Sequence, residues 1–337
     1  MQVAIVGAGF AGLSLAWHLG SLGRAHCTIF DAVGIGAGAS GIASGLLHPF
    51  PAAATQYSFM GREALHESIS LLQVAQQHTN QPVASKSGVW KLAMSDEDKK
   101  HFSSLSYRYE RLQWYPQTSL EYIKNFPALL LENGVTVFCK AYLQGLWEAC
   151  KAGGASFVRE KVQDLSTLSS FDIVVACAGS GITELDPTWK LQTIKGQIVE
   201  CKMQKQVTAR SVIAKGYIAV TADPLVYHVG STYEHHYTNA LPEIETAKNS
   251  ILPKCRTYLP CIDEAQIIGC KAAIRVASAH APLPIIKRYT SKRYAMTAFG
   301  SRGLLYHGLL GKQLARALVF EDMERISREF FIGASYT

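Results

Sequence analysis

The chain has 337 residues, with 33 Lys and Arg against 26 Asp and Glu, and a formal net charge of +7. Hydrophobic residues make up 48% and charged residues 18%, which excludes a disordered chain and is enough to close a core without disulfide or metal. Eight cysteines without a CxxC pair exclude a zinc ribbon and a thioredoxin-type site.

The length suits two domains. Mild basicity favours anionic partners such as phosphates, carboxylates or nucleic acid, but no run of like charge marks a nucleic-acid tail. No stretch is long and apolar enough for a transmembrane helix, and Gln2 gives no basic n-region ahead of the first strand. The expectation is a reduced, cytoplasmic protein whose cysteines serve as small hydrophobes.

Residues 2–7, Gln-Val-Ala-Ile-Val-Gly, form a short β-branched run of the kind buried on both faces of a sheet. Gly7, Gly9 and Gly12 follow as G-A-G-F-A-G, and a helical pattern runs from Ala11 to Leu22 with Leu15, Leu19 and Leu22 on one stripe. A second strand, Cys27–Asp31, ends in an acid 19 residues beyond Gly12. In this order each glycine has a task. Gly7 permits the tight turn, Gly9 lets a pyrophosphate approach, and Gly12 lets the helix pack on the sheet. The helix start offers free N–H groups to phosphate, and Asp31 is placed to hold ribose hydroxyls. Phe10, Ala11 and Ala32 belong to the same contact set. NAD and FAD both fit at this point.

Residues 34–49, G-I-G-A-G-A-S-G-I-A-S-G-L-L-H-P, insert a second Gly/Ser loop where an NAD domain usually enters a helix directly. A longer flavin ligand needs such extra backbone donors, and Ala39, Ser40, Gly45 and Leu46 are the expected contacts. An amphipathic helix follows over Glu63–Gln77, then a short strand over Val89–Ala93. Residues 99–125 carry no recognisable pattern. Helices are expected over Leu143–Ala152 and Lys312–Phe320, and hairpin-like runs over Ile213–Val220 and Val226–Gly230 around Asp223-Pro224. There is no internal repeat and no low-complexity tract.

The pattern Ala39-Ser40-x-x-Ala43-x-Gly45-x-x-His48-Pro49 resembles the FAD-dependent D-amino-acid oxidase family, which includes glycine oxidase and sarcosine oxidase. Five further stretches resemble the family in order. They are Phe171–Ser180, Lys195-Gly-Gln-Ile-Val199, Val229-Gly-Ser-Thr-Tyr-Glu234, Arg275 with Pro282-Leu-Pro-Ile-Ile286, and Phe299-Gly-Ser-Arg-Gly-Leu304 with Leu314-Ala315. The wording at 299–304 also resembles the oxidase half of the tRNA wobble-uridine modification enzyme. Asp31 stands where the family usually has Glu, and Ser278, Ala279 and His280 stand where it has an Asp.

The resemblance implies an α/β fold, with a Rossmann-type FAD-binding domain and a second, antiparallel-sheet α+β substrate domain. The FAD-binding domain would be discontinuous, over 1–85, 118–194 and 291–337, with 86–117 and 195–290 forming the substrate domain. It adds Val162, Ala178, Gly179, Gly300, Ser301, Gly303 and Leu304 to the expected FAD contacts, and no metal. It implies a flavoenzyme that takes a hydride from the carbon beside an amine, with hydrolysis of the resulting imine in water. Arg275 is expected to bind the substrate carboxylate bidentately, because a planar guanidinium matches a carboxylate. Tyr217 would donate to the same carboxylate, Tyr233 is a further candidate, and Arg302 lies in the loop expected beneath the flavin ring. His48 is read as near-flavin packing, and His235 and His236 as solvated loop residues.

Three functions are in play: oxidation of a small amine or amino acid (a D-amino acid, glycine or sarcosine), modification of a carboxymethylaminomethyl group on tRNA, and flavin binding without turnover. An oxygen or a quinone acceptor is equally compatible with the residues.

Overall fold

Val3–Val6 is buried because its strand, Gln2–Val6, lies in the interior of a seven-stranded sheet. In the computed structural model, which describes residues 1–50, 56–118, 120–279 and 282–332, the strand order is Phe331–Ile332, Ile285–Arg288, Arg293–Thr297, Ile173–Ala176, Gln2–Val6, His26–Asp31 and Ser156–Arg159. From Arg293–Thr297 to Ser156–Arg159 every neighbour is parallel, while Ile285–Arg288 is an antiparallel addition at one edge. Alternation divides the central strand between two cores. Val3 and Ile5 pack under the helices Phe10–Ser21, Gly61–Gln77, Cys139–Ala152 and Gly303–Val319. Ala4 and Val6 pack on the other face with Phe30, Val162 and Val174.

The first and last of those helices touch at small residues: a Cβ on Gly311 would lie 2.2 Å from Ser14 Oγ. Buried polar groups tie the layer together. Ser14 Oγ donates to the His307 carbonyl at 2.8 Å, and His307 Nε2 meets Tyr142 Oη at 2.6 Å.

The second sheet has eight strands, in the order Gln266–Ser278, Leu191–Lys202, Val226–Gly230, Tyr217–Val220, Ser211–Ile213, Val89–Leu92, Ala128–Leu131 and Leu112–Tyr115. All its neighbours are antiparallel except Ser211–Ile213 with Val89–Leu92. Its back, with Val199, Cys201, Ile218 and Tyr227, is buried with Ala247, Ile251 and Cys255 of the helix Ile244–Arg256. Its front carries Arg275 and Tyr217.

The sheets divide the chain at somewhat different places from the segments expected. Ala128–Leu131 pairs into the eight-stranded sheet from within 118–194, and Ile285–Arg288 pairs into the seven-stranded sheet from within 195–290. The unread stretch 99–125 contains most of a helix, Asp96–Arg108, and the strand Leu112–Tyr115. That helix opens on a capping box, in which Ser95 accepts from Asp98 N and Asp98 reaches back to the Ser95 backbone. The last helix starts at Gly303, nine residues before the periodic run at Lys312, because it is buried nearly all round and shows no polar stripe there. All eight cysteines are free. His280 lies outside the described residues.

Candidate active site

Three loops meet at the C-terminal ends of the parallel strands, where ligands of open α/β sheets bind. Gly7 adopts φ +115°, and a Cβ there would stand 2.3 Å from the Cys177 carbonyl oxygen. A Cβ on Gly12 would stand 1.9 Å from the Gly7 oxygen. These are backbone approaches that no rotamer change relieves. The helix after them has Gly9 as its N-cap, which has no side chain to cap it, so first-turn N–H groups other than that of Phe10 are open to an anion. Ser40 Oγ accepts from Phe10 N at 3.0 Å, which seats the second glycine loop on that helix start. A Cβ on Gly9 would come within 2.8 Å of the same Oγ.

Asp31 clasps the two loops: Oδ2 accepts from Ala8 N at 3.0 Å, and Oδ1 from Val33 N and Gly34 N at 2.9 Å. A carboxylate has about four acceptor positions, so one remains for a ribose hydroxyl. The third loop, ending at the N-cap Arg302, closes against the first where Gly303 packs beside the Phe10 ring. Gly7, Gly9, Phe10, Ala11, Gly12, Asp31 and Ser40 are thus brought together, with Ala178 and Gly179 beside Gly7, and Gly303 and Leu304 at the last helix start. Ala32 is exposed just past the clasp, and Ala39 opens the helix Ala39–Ile42. Gly45 sits tight against the Val137 carbonyl and Leu46 pairs with Thr136. Gly300 and Ser301 form the bend before the last helix. Val162 lies in the outer core. A helix start with free N–H groups, glycines at the points of closest approach and a carboxylate with one position left fit a flavin dinucleotide.

The front of the eight-stranded sheet supplies the other half. Arg275 pairs with Ile194, and its guanidinium lies across Gly196 on the next strand: a Cβ on Gly196 would be 2.6 Å from Nη2. Tyr217 pairs with Gly230, where a Cβ would be 2.5 Å from the phenol oxygen. Ile198 opposes Gly230, so the two glycines lie two residues apart on the sheet and clear a floor for both side chains. Tyr217 Oη is 2.8 Å from Ser44 Oγ, which joins the sheet to the second glycine loop. Burial pushes the Tyr217 phenol up, against the pull of Ser44 and the Arg275 charge, so the hydroxyl keeps its proton.

Arg275 Nη2 donates to the Thr232 carbonyl at 3.2 Å, and its guanidinium carbon lies 5.1 Å from the Tyr233 ring centre. Its buried Nε has no partner among the described residues. Desolvation lowers its pKa, but a guanidinium stays charged. A half-buried charge with one buried N–H left unpaired and no carboxylate against it fits a place where an anion binds.

Arg302 is differently placed: Nη1 donates to the Pro282 carbonyl at 2.8 Å. Burial, helped by the nearby Lys91 ammonium, holds His48 down at about 4, so it is a neutral imidazole at pH 7. His235 and His236 are exposed, and no group of three or more metal-ligating side chains occurs among the described residues. The contribution of Ser44 and Thr232 and the floor formed by Gly196 and Gly230 were not read from sequence. The available signal was a glycine inside a strand, which marks a close approach.

The family described as FAD dependent oxidoreductase matches residues 2–317. Human D-aspartate oxidase is 26% identical over 292 residues, covering 81% of this chain and 80% of that protein. Glycine oxidase from Geobacillus kaustophilus superposes with a TM-score of 0.82 at 21% identity, covering 97% of this chain and 95% of that one. Iminodiacetate oxidase from Chelativorans sp. BNC1 gives 0.79 at 18% identity, covering 99% and 100%.

Proposed function

This chain belongs to the DAO family of FAD-dependent oxidoreductases, and from that premise we propose that it oxidises the C–N bond of a small amino acid or amine that carries a carboxylate. The observation that carries the reading is Arg275, a half-buried cation whose buried Nε has no partner and which meets no carboxylate among the described residues, lying across Gly196 and close enough to Tyr217 to affect its ionisation. The names of the three relatives point the same way, since aspartate, glycine and iminodiacetate each carry an amine beside a carboxylate.

FAD, when bound, supplies an acceptor for the hydride of the carbon beside the amine. The residues that would hold it are the Gly7–Gly12 turn and helix start for the pyrophosphate, Asp31 for a ribose hydroxyl, and Ser40, Gly45, Gly300, Ser301 and Gly303 for the rest of the cofactor. Arg275 binds the carboxylate through its paired N–H donors, and the protonated Tyr217 donates a further bond. Ser44 orients that phenol. Together these fix the substrate by one end, so its amine-bearing carbon is presented in one orientation. The substrate's own neutral amine provides the electron pair for imine formation, so the site needs no dedicated base. Arg302, engaged with the Pro282 carbonyl, would contribute to the cofactor loop through its backbone.

The test is an anaerobic titration of the purified flavoprotein with glycine, sarcosine, iminodiacetate and a panel of D-amino acids. Bleaching of the flavin band near ~450 nm by one of them supports the reading, since that colour belongs to the oxidised cofactor. A protein that takes up no FAD overturns the cofactor placement. A yellow protein bleached by none overturns the small-amine reading and makes a tRNA-borne carboxymethylaminomethyl group the next donor to try.

A further inference from the structure

The front of the eight-stranded sheet holds the carboxylate anchor, and its back holds a buried polar network. Lys195 and Gln197 flank Gly196, and by strand alternation they point away from Arg275. Both are fully buried. Beyond Gly230 the chain continues antiparallel along this strand. Gln197 N donates to Thr232 Oγ1 at 2.9 Å and Thr232 N to the Gln197 carbonyl at 3.1 Å. Lys195 and Glu234 exchange backbone bonds of 2.9 Å in both directions. This short segment supplies both groups seen against the guanidinium, the Thr232 carbonyl and the Tyr233 ring.

The Gln197 carboxamide locks that segment from behind. Its Nε2 donates to Glu234 Oε1 at 2.9 Å, and its Oε1 accepts from Glu243 N at 2.7 Å. Lys195 Nζ closes the network on Glu243 Oε1 at 2.5 Å. One side chain thus joins the strand beneath Arg275, the segment beside Arg275 and the start of the helix Ile244–Arg256. A hydrocarbon of the same size would keep the packing but release Glu234, leave the Glu243 N–H without its acceptor, and let Thr232 and Tyr233 shift.

We propose that Gln197 is a positioning residue for the substrate carboxylate, acting on Arg275 through Thr232 and Tyr233 from the opposite face of the sheet. This rests on Arg275 being the carboxylate anchor. The orientation of a bidentate donor is what a loosened segment would lose, and misplacement of a binding group by about 1 Å costs up to about a hundredfold. Binding should therefore suffer more than turnover at saturation.

The experiment uses the holoenzyme and acetate as a carboxylate probe, read as a perturbation of the flavin spectrum, beside steady-state kinetics with the best amine. Gln197→Leu is expected to raise the acetate Kd and the amine KM about tenfold, to lower kcat by less, and to leave flavin content intact. In an Arg275→Ala background it should add little, because it acts through that residue. The exchange Gln197→Glu with Glu234→Gln reverses donor and acceptor and should recover most of the loss. Should Gln197→Leu fail to fold, Glu234→Ala breaks the same link from its partly exposed end and should raise KM severalfold. A lower melting temperature with unchanged acetate Kd and KM, or an effect that adds in full to Arg275→Ala, overturns the inference. If Arg275→Ala itself leaves acetate binding unchanged, the anchor reading falls and this inference with it. If Arg275→Ala weakens binding and neither Gln197→Leu nor Glu234→Ala does, this inference alone falls.

Discussion

The two sheets build their halves of the site from different material. The seven-stranded sheet uses backbone: Gly7, Gly9 and Gly12 lie within one turn and a helix start, and Gly12 and Gly7 make main-chain approaches of 1.9 and 2.3 Å for an added Cβ. The eight-stranded sheet uses side chains gathered from afar, with Arg275 and Tyr217 on strands separated by two others. Its glycines clear space for side chains rather than for a ligand's phosphate. A cofactor of fixed shape can be held by a local motif that tolerates no change. A substrate is held by an assembly whose members can each be weakened by degrees.

That contrast is sharpest at Gly12. Gly12→Ala places a methyl against the Gly7 carbonyl, and backbone cannot yield, so the expected product is a colourless or insoluble protein. A G12A variant with a full complement of flavin would break the comparison. Arg275→Ala, by contrast, should leave the protein yellow. It removes a charge-assisted interaction worth about 1.5–3 kcal/mol in total, so KM should rise about 10- to 100-fold, with Arg275→Lys in between. Stopped-flow bleaching measures this directly, and an unchanged KM would remove Arg275 from the site.

Acid separates the halves next. Burial holds His307 at about 3 and His18 at about 4, both in the helical layer over the seven-stranded sheet. Their unfolded value is 6.5, so below that pH the unfolded chain binds protons that the folded one refuses. Stability is therefore present above pH 6.5 and is lost as pH falls toward 4, by about 1.4 kcal/mol per pH unit for each such histidine. Glu200, on the substrate sheet, is held at about 2 by its bonds to His228 and Lys271, so its contribution persists until lower pH. Between pH 6.5 and 5 the melting temperature and flavin retention should fall together, and His307→Asn should flatten that slope. A flat wild-type profile would show that these histidines do not govern the flavin half.

The smallest effect belongs to Tyr217→Phe. The ring still covers Gly230 while one hydrogen bond is lost, worth about 1 kcal/mol, so KM should rise about fivefold. A loss as large as that of Arg275→Ala would give the phenol a role beyond holding the carboxylate.

Legibility followed the same divide. The dinucleotide motif is written in consecutive residues, because turn, helix start and acid must follow one another along the chain for the geometry to exist. The resemblance in the second glycine loop and at 299–304 is similarly local. The helix Asp96–Arg108 went unread although Ser95 and Asp98 spell its capping box, because only Phe102 and Leu105 of its residues are buried and its apolar stripe is thin. The last helix was read short because burial on nearly all sides erases the polar face that periodicity needs.

The sequence by itself determined the parallel-sheet start, the phosphate-binding turn, the flavin class of cofactor and the candidacy of Arg275 and Tyr217. The first two follow from spacing and residue chemistry, and the cofactor class and the two candidates from the family resemblance of the motifs. Only the tertiary structure decided that Gly196 and Gly230 form one floor, that Ser44 reaches Tyr217 and that Thr232 and Tyr233 flank the guanidinium. It also turned Arg302 toward Pro282. These relations depend on strand register between segments up to about a hundred and seventy residues apart, as Ser44 is from Tyr217. A one-residue slip in pairing would send each side chain to the opposite face, and nothing in local composition records which register packing selects.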